Sequence, residues 1–471
     1  MKKKLYTIVL GLAIFTLSAC NNELTDINKN PNATEAPLPA YLLTASEKHA
    51  ADLYWGSSNN YNTSLLFVQH WASIQYTETD CYNVTNSTFT SLWTEGYATL
   101  ITNLNAIIAS DLSNDNYKAV AQIFRSWMFL ELTNSFGDVP YTEAGKSVLP
   151  KYDTQETIYN GLNEELKSAV SAINTSGDGI SGDIIYNGDL AKWKRFGNSL
   201  RLRIALLLAD RDESTAKSIA SEVKDGVFTS NSEIAQFIYS DSPQQNPFAT
   251  SFDTRDDYRV SKVMVDKLKS LSDPRLPIFA QLPSDTSVGD YVGVPNGLTT
   301  TDANSLGFAK TSRPGTYFLA PHSPAVFFTY AEALFDLAEA TARGFISGNA
   351  ETYYKQAIQA SLNQFGITNA SVINNYLSQN GVNYDASNYR KSIGTQKWIA
   401  FYGQGLDAFT EWRRLDYPEL KAGPANVLED KMPLRFFYPS KEQSLNGNNY
   451  TEAVKHQGPD LLITRLWFDI K

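Results

Sequence analysis

Two periodic runs separated by one turn occupy the sequence between Ser323 and Gly366. In the first, Phe327, Ala331, Leu334, Ala338, Ala342 and Phe345 recur at the 3.6-residue spacing that lines one face of a helix. Ser323 and Pro324 suit its start, because the serine can accept a bond from a first-turn N–H and proline has no N–H to leave unpaired. Gly344 suits a left-handed stop. In the second run, Tyr353, Tyr354, Ala357, Ile358, Leu362 and Phe365 repeat the pattern up to Gly366. One such helix pair cannot bury its apolar face alone, so a chain that contains it must supply others.

It does. Ser91 to Ser110, with Leu92, Trp93, Tyr97, Leu100, Leu104 and Ile107 on its apolar face, predicts a helix that pairs with Asn116 to Phe136. Asp153 to Ile173 pairs in the same way with Asp189 to Asp212, whose stripe is Trp193, Phe196, Leu200, Ile204 and Leu207. A fourth pair involves Ala370 to Ser378 and Asn388 to Leu415. Each unit resembles a tetratricopeptide repeat: two amphipathic helices, a tight turn, small residues at the crossing. Residues 227–322 break the pattern except around Tyr258 to Leu271. They are rich in Pro, Gly, Ser, Thr and Asp, and so long a loop-rich excursion inside a helical array is usually functional.

The N-terminus predicts export. Met1-Lys2-Lys3-Lys4 is basic, Leu5 to Leu17 is apolar, and the apolar run is too short to cross ~30 Å of hydrocarbon as a helix. Residues 1–19 are therefore read as a removable signal peptide. Leu17-Ser18-Ala19-Cys20 looks like a bacterial lipobox, which would make Cys20 the lipidated first residue of the mature chain. Several acyl chains hold a protein to a membrane where one gives only marginal binding. Residues 20–39, with three prolines, suit an extended tether. Residues 40–471 show no dividing linker and are expected to form one helical domain.

Composition narrows the function. The formal charge of −10 argues against nucleic acid, whose binding rests on neutralising phosphates with Lys and Arg. Cys81 is the only cysteine besides Cys20, so lipidation of Cys20 leaves no intramolecular disulfide; Cys81 reads as an idle, buried thiol. The four histidines, His49, His70, His322 and His456, have no metal-ligand spacing. No Gly-x-Ser-x-Gly, His-Glu-x-x-His, phosphate-cradling glycine loop or Cys-x-x-Cys occurs. No cofactor is expected, and no catalysis. A glycoside hydrolase is the rival class, because Asp253, Asp256 and Asp257 could supply its two carboxylates.

The chain resembles the SusD/RagB family of nutrient-binding outer-membrane lipoproteins, in its SusD-like branch. The residues that carry the resemblance run through the sequence in order. They are the lipobox, Asp26 to Asn32, Phe136-Gly137-Asp138-Val139-Pro140-Tyr141, and Tyr186 to Arg203 with Trp193, Asn198 and Arg201. They continue through Tyr258 to Lys262, Asp273 to Leu276, Tyr330 to Ala333, Gln396 to Trp398, Glu411 to Arg414 and Pro433 to Pro439. The resemblance implies a mainly α fold, a right-handed array of four tetratricopeptide-like helix pairs with long loops packed on one side. It also implies a surface lid on a SusC-like TonB-dependent transporter, capturing an oligosaccharide or polysaccharide. The family also contains peptide binders, and no chemical step is implied.

A sugar presents C–H faces that stack on aromatic rings and hydroxyls that need amide, carboxylate or guanidinium partners. The richest stretch for this runs from Tyr54 to Asn83. Within it Leu65, Leu66, Val68 and Ile74 could bury one helical face while Trp71, Gln75 and Tyr76 emerge near the helix end. Trp55, Tyr82 and Asn83 complete that candidate platform. The alternative is that Trp71 and Tyr82 are core residues packed beside Trp93. Tyr291 and Tyr317, on the excursion, are second candidates. Glu332, Asp336 and Glu339, with Arg343, read as a solvated helix face carrying an i,i+4 ion pair. Arg201, Arg203, Arg413 and Arg414 read as ties between helices and loop carbonyls or carboxylates.

Overall fold

The computed structural model describes residues 38–470. The signal segment, Cys20, most of the tether and the Asp26–Asn32 motif lie outside the described residues. The protein is mainly helical. Helix α1 (Pro39–Trp55) leads, through a π-helical turn at Asn60–Ser64, into a short strand β1 (Trp71–Ser73). The run expected as one helix from Ser91 is interrupted. It comprises α2 (Thr90–Glu95), a π-helical Gly96–Ile101 and α3 (Thr102–Ala109).

Helices then start where the sequence supplies a side-chain acceptor. Asn114 caps α4 (Asp115–Phe136), Thr154 caps α5 (Gln155–Ala172), Asp189 caps α6 (Leu190–Leu208) and Asp212 caps α7 (Glu213–Val223). Each successive pair from α3 to α7 packs together; α3 with α4 and α5 with α6 are the pairs the periodicity predicts, and α7 adds a helix that the sequence reading did not single out. Among the described residues no helix is long and apolar enough to cross a membrane.

The second half corrects two expectations. Pro324–Phe328 is not the start of a helix but strand β4, antiparallel to β2 (Ala235–Ile238). Its residues Val326, Phe327 and Phe328 suit a pleated strand, and Phe327 packs against Trp127 at 4.9 Å and Phe124 at 5.5 Å. Helix α10 (Tyr330–Ala342) starts later, capped by Thr329, whose hydroxyl accepts from Glu332 N. Gly344, at φ +73°, makes the expected left-handed stop before α11 (Ala350–Gln364). After α12 (Ala370–Leu377), the span Asn388–Leu415 is two helices, α13 (Tyr389–Ala400) and α14 (Gly405–Leu415). Gly403 breaks it at φ +94°, lodged against Phe318 and Trp55.

The face of α10 expected to be solvated is buried. Glu332, Asp336 and Glu339 are 0%, 1% and 0% exposed, because α10 is packed by α6, α11 and α13 together. Their partners come from other helices. Arg203 reaches Glu332 at 2.7 Å, Glu131 at 3.4 Å and Asp407 at 3.0 Å. Lys397 joins Asp336 at 2.5 Å to Glu411 at 2.6 Å, and Arg414 joins Glu339 to Glu411. The i,i+4 pair Glu339–Arg343 is present at 2.9 Å, within this network rather than on the surface. Arg201 and Arg413 act as the sequence suggests: Arg201 binds Asn163 and Glu222, and Arg413 donates to the carbonyls of Phe409, Leu434 and Asn134.

Candidate ligand-binding site

Strand β1 pairs antiparallel with β3 (Tyr258–Val260), with Trp71 opposite Val260 and Ser73 opposite Tyr258. This pairing draws the loop after β1 to the end of α8 (Pro247–Thr254), and the two segments enclose a concavity of about 500 Å³. Tyr61, Asn62, Tyr76, Glu78, Arg255, Asp257 and Tyr258 line it.

Its centre is Tyr76. The ring is 59% exposed, and the backbone holds φ +54°, a left-handed conformation that L residues adopt only when their surroundings demand it. The Arg255 guanidinium lies 4.7 Å from the ring centroid, and its Nε pairs with Asp257 Oδ2 at 2.5 Å. Asp257 is itself fixed from the Tyr76 loop: Gln75 Nε2 donates to its Oδ1, and Ile74 N donates to its carbonyl at 2.8 Å. Behind these, Tyr258 OH donates to Asn62 Oδ1 at 2.9 Å, and the Tyr61 and Tyr258 rings meet edge-on at 5.5 Å. An exposed ring beside a planar five-donor fork, a carboxylate and an amide can stack on an apolar face and orient hydroxyls at its edge.

The remaining candidates divide. Trp71, 0% exposed, lies in the core on β1; its Nε1 donates to Tyr402 OH at 2.9 Å and its ring packs on Phe248 at 4.8 Å. The reason is that the helix ends at Phe67, and Gln69, at φ +54°, turns the chain into a strand. Trp55 is buried against the same Phe248, and Tyr82 is buried against Phe67 with its hydroxyl on Met432 Sδ. None of these three offers a ring face to solvent. Gln75 is half-buried and committed to Asp257; Asn83 is exposed but does not line the concavity.

Tyr291 and Tyr317 lie elsewhere. Tyr291 gives its carbonyl to Lys269, and Tyr317 packs on Phe318 and Phe365. Arg255 was not anticipated. Its only signal was a run of charges, Arg255-Asp256-Asp257, set against Tyr258 within the loop-rich excursion. The acids considered for hydrolysis are all engaged: Asp256 with Arg259 and Arg313, Asp257 with Arg255, and Asp253 with Gln245. Among the described residues no three His, Cys, Asp or Glu side chains converge as metal ligands. A second hollow of about 500 Å³, between Trp412, Met432, Leu434 and Ile463, carries no exposed tyrosine face.

Residues 31–439 match the SusD-like family described as "Starch-binding associating with outer membrane". The chain belongs to that family. No curated protein sequence matches it. Among solved structures, this SusD-like protein is similar to a chitin-binding protein, with a TM-score of 0.83 and 29% identity over 92% of this chain and 100% of that one. A SusD homologue from Bacteroides uniformis gives a TM-score of 0.81 and 25% identity, again over 92% and 100% of the chains. One from Bacteroides fragilis gives 0.76 at 25% identity with the same coverage. The helical fold is that of the SusD-like structures, and the family is one of nutrient binding associated with the outer membrane.

Proposed function

We propose that this SusD-like protein captures an oligosaccharide or polysaccharide in the Tyr76 concavity and passes it, as a lid, to a SusC-like TonB-dependent transporter. The observation that carries the reading is the solvent-facing Tyr76 ring with the Arg255–Asp257 pair stacked beside it. The relatives support the ligand class. The family description names starch and one similar structure is of a chitin-binding protein, and both polymers expose pyranose C–H faces and equatorial hydroxyls. Cys20 would be the lipid attachment point, tethering the domain to the outer membrane and facing the cell exterior, with one folded domain following the tether. Binding and release suffice for this role and no bond need be broken.

The test is calorimetric titration of the mature chain with a panel of polysaccharides and peptides, repeated with Tyr76→Ala. Saturable glycan binding that the substitution weakens supports the reading. Binding to peptides alone would place the protein among the peptide-binding members. Accumulation of shortened oligosaccharides in the titrated sample would indicate a hydrolase instead.

A further inference from the structure

Two further hollows, of about 530 Å³ and 600 Å³, share Lys267, Lys391 and Thr395 and so form one elongated trough with these three side chains at its waist. Separate parts of the chain build it. Helix α9 (Lys262–Ser270) gives the face that carries Val263, Lys267 and Ser270, spaced i, i+4 and i+7. Lys391 and Thr395, one turn apart, come from α13; Tyr384 lines one hollow and Tyr417 the other. The lining is held from behind. Gly381, at φ +90°, lets the 380–387 loop fold down on Leu271, Tyr354 OH donates to Val382 O at 2.7 Å, and Asp385 N donates to Ser392 Oγ at 2.9 Å. Tyr417 rests where Gly394 has no side chain: a Cβ there would lie 3.0 Å from Tyr417 Cβ. Walls already fixed cost a ligand little ordering.

The polar groups of the trough are uncommitted. Among the described residues the Lys267 and Lys391 ammoniums, the Asn380 and Asn383 amides, and the Thr395 and Tyr384 hydroxyls have no hydrogen-bond or ion-pair partner in the protein. The charges balance. Lys267 and Lys391 stand against Asp385 and Glu419, while Asp266 is paired with Lys262 on its own helix. Ammoniums only donate, carboxylates only accept, and amides and hydroxyls do both. The matching ligand therefore has no net charge and many groups that donate and accept at once. It also has an apolar face for the half-buried Tyr384 and Tyr417 rings. A saccharide without acidic groups has this chemistry. A peptide joining by strand addition would need a sheet edge, and no strand lines the trough.

We propose that this trough is a second saccharide-binding site, for a neutral glycan, separate from the Tyr76 concavity. It shares only the ligand class with the reading of that concavity, and its own lining stands if Tyr76 binds nothing. The two sites are close enough for one polymer. Tyr258 lines the concavity and Lys267 the trough; three residues of extended chain and six of helix separate them, so their Cα atoms lie within about 20 Å. A chain held at one site is thereby presented to the other at high effective concentration.

The experiment is calorimetric titration of the mature chain with maltohexaose and chitohexaose, neutral probes of different linkage, and with a soluble polymer of whichever sugar binds. Three variants accompany the parent: Tyr76→Gly; Thr395→Trp, whose indole fills the waist; and Asn383→Ala with Lys391→Ala, both at exposed positions. The parent should show two sites. Tyr76→Gly should keep one of them, Thr395→Trp should lose that one, and the double variant should weaken it about tenfold, the worth of two ordinary hydrogen bonds. The polymer should bind the parent about tenfold more tightly than Thr395→Trp. If Thr395→Trp does not fold, the exposed double variant decides alone. Binding that the trough variants leave unchanged overturns the proposal, as does a trough that takes only peptides or acidic saccharides. Binding that the trough variants abolish and Tyr76→Gly leaves intact keeps the trough and overturns the reading of the Tyr76 concavity. Silence from both hexasaccharides and every other neutral glycan of the panel overturns both.

Discussion

Replacing Tyr76 by glycine separates a ring that binds from a ring that holds the fold. Glycine adopts φ +54° freely, so the substitution removes a strain of about 1 kcal/mol. Against this stand about 0.5–1 kcal/mol of extra backbone entropy in the unfolded chain and about 0.5–1 kcal/mol for the lost Arg255 contact. The sum lies within about 1 kcal/mol of zero, so the melting temperature should change by less than about 3 °C. Binding should respond far more. A sugar face that covers some 60–80 Å² of ring gains about 1.5–2 kcal/mol from burial alone. The dissociation constant should therefore rise by about 10–30-fold. Calorimetry on the best glycan of the panel, with thermal melts of the same samples, measures both. Unchanged affinity in a folded variant would refute the assignment of the site. A large drop in melting temperature would refute the reasoning about strain.

Trp71→Ala should behave in the opposite way, costing about 3–5 kcal/mol because a fully buried indole leaves a cavity and strips Tyr402 of its donor. Its binding per folded molecule should stay close to the parent's, which titration corrected by the folded fraction would reveal. Arg414→Met should destabilise by about 3 kcal/mol, the lower part of the range for breaking a buried pair, because Arg343 and Lys397 still serve Glu339 and Glu411; urea midpoints measure it. Around Arg203, burial holds Glu131 and Glu332 well above the usual carboxylate range, and Asp407 adds to it. A raised folded value means that their stabilisation is complete below 4.5 and is lost as pH rises through the raised value. Glu332→Gln should flatten that decline in urea midpoint with pH, and an unaltered slope would show that Glu332 is ionised throughout.

Much of the helical framework was legible because helix signals are local. The apolar stripe of α6 and the stop at Gly344 lie within a few residues of what they control, and the acceptors Asn114, Thr154 and Asp189, which the structure identifies as caps, are equally local. Arg414 and its neighbours could be read as ties for the same reason that their partners could not be named: a guanidinium needs acceptors, but nothing local says which. The candidate site shows the limit. Tyr76 and Trp71 stand five residues apart in one aromatic, polar stretch, and composition gives them equal standing.

What the sequence determined by itself is therefore much of the helical periodicity, the left-handed stop at Gly344 and the presence of family motifs along most of the chain. The tertiary structure alone decided which rings face water and which charges meet. Trp71 is buried because β1 finds β3 some 190 residues away, and the same pairing brings Arg255 over Tyr76. Glu332 and its neighbours are buried because α6, α11 and α13 close over α10, and the cations that meet them are Arg203 of α6, Lys397 of α13 and Arg414 of α14. Burial and charge pairing depend on contacts between residues far apart in the chain, and a one-dimensional pattern records only what each residue needs, not what will come to meet it.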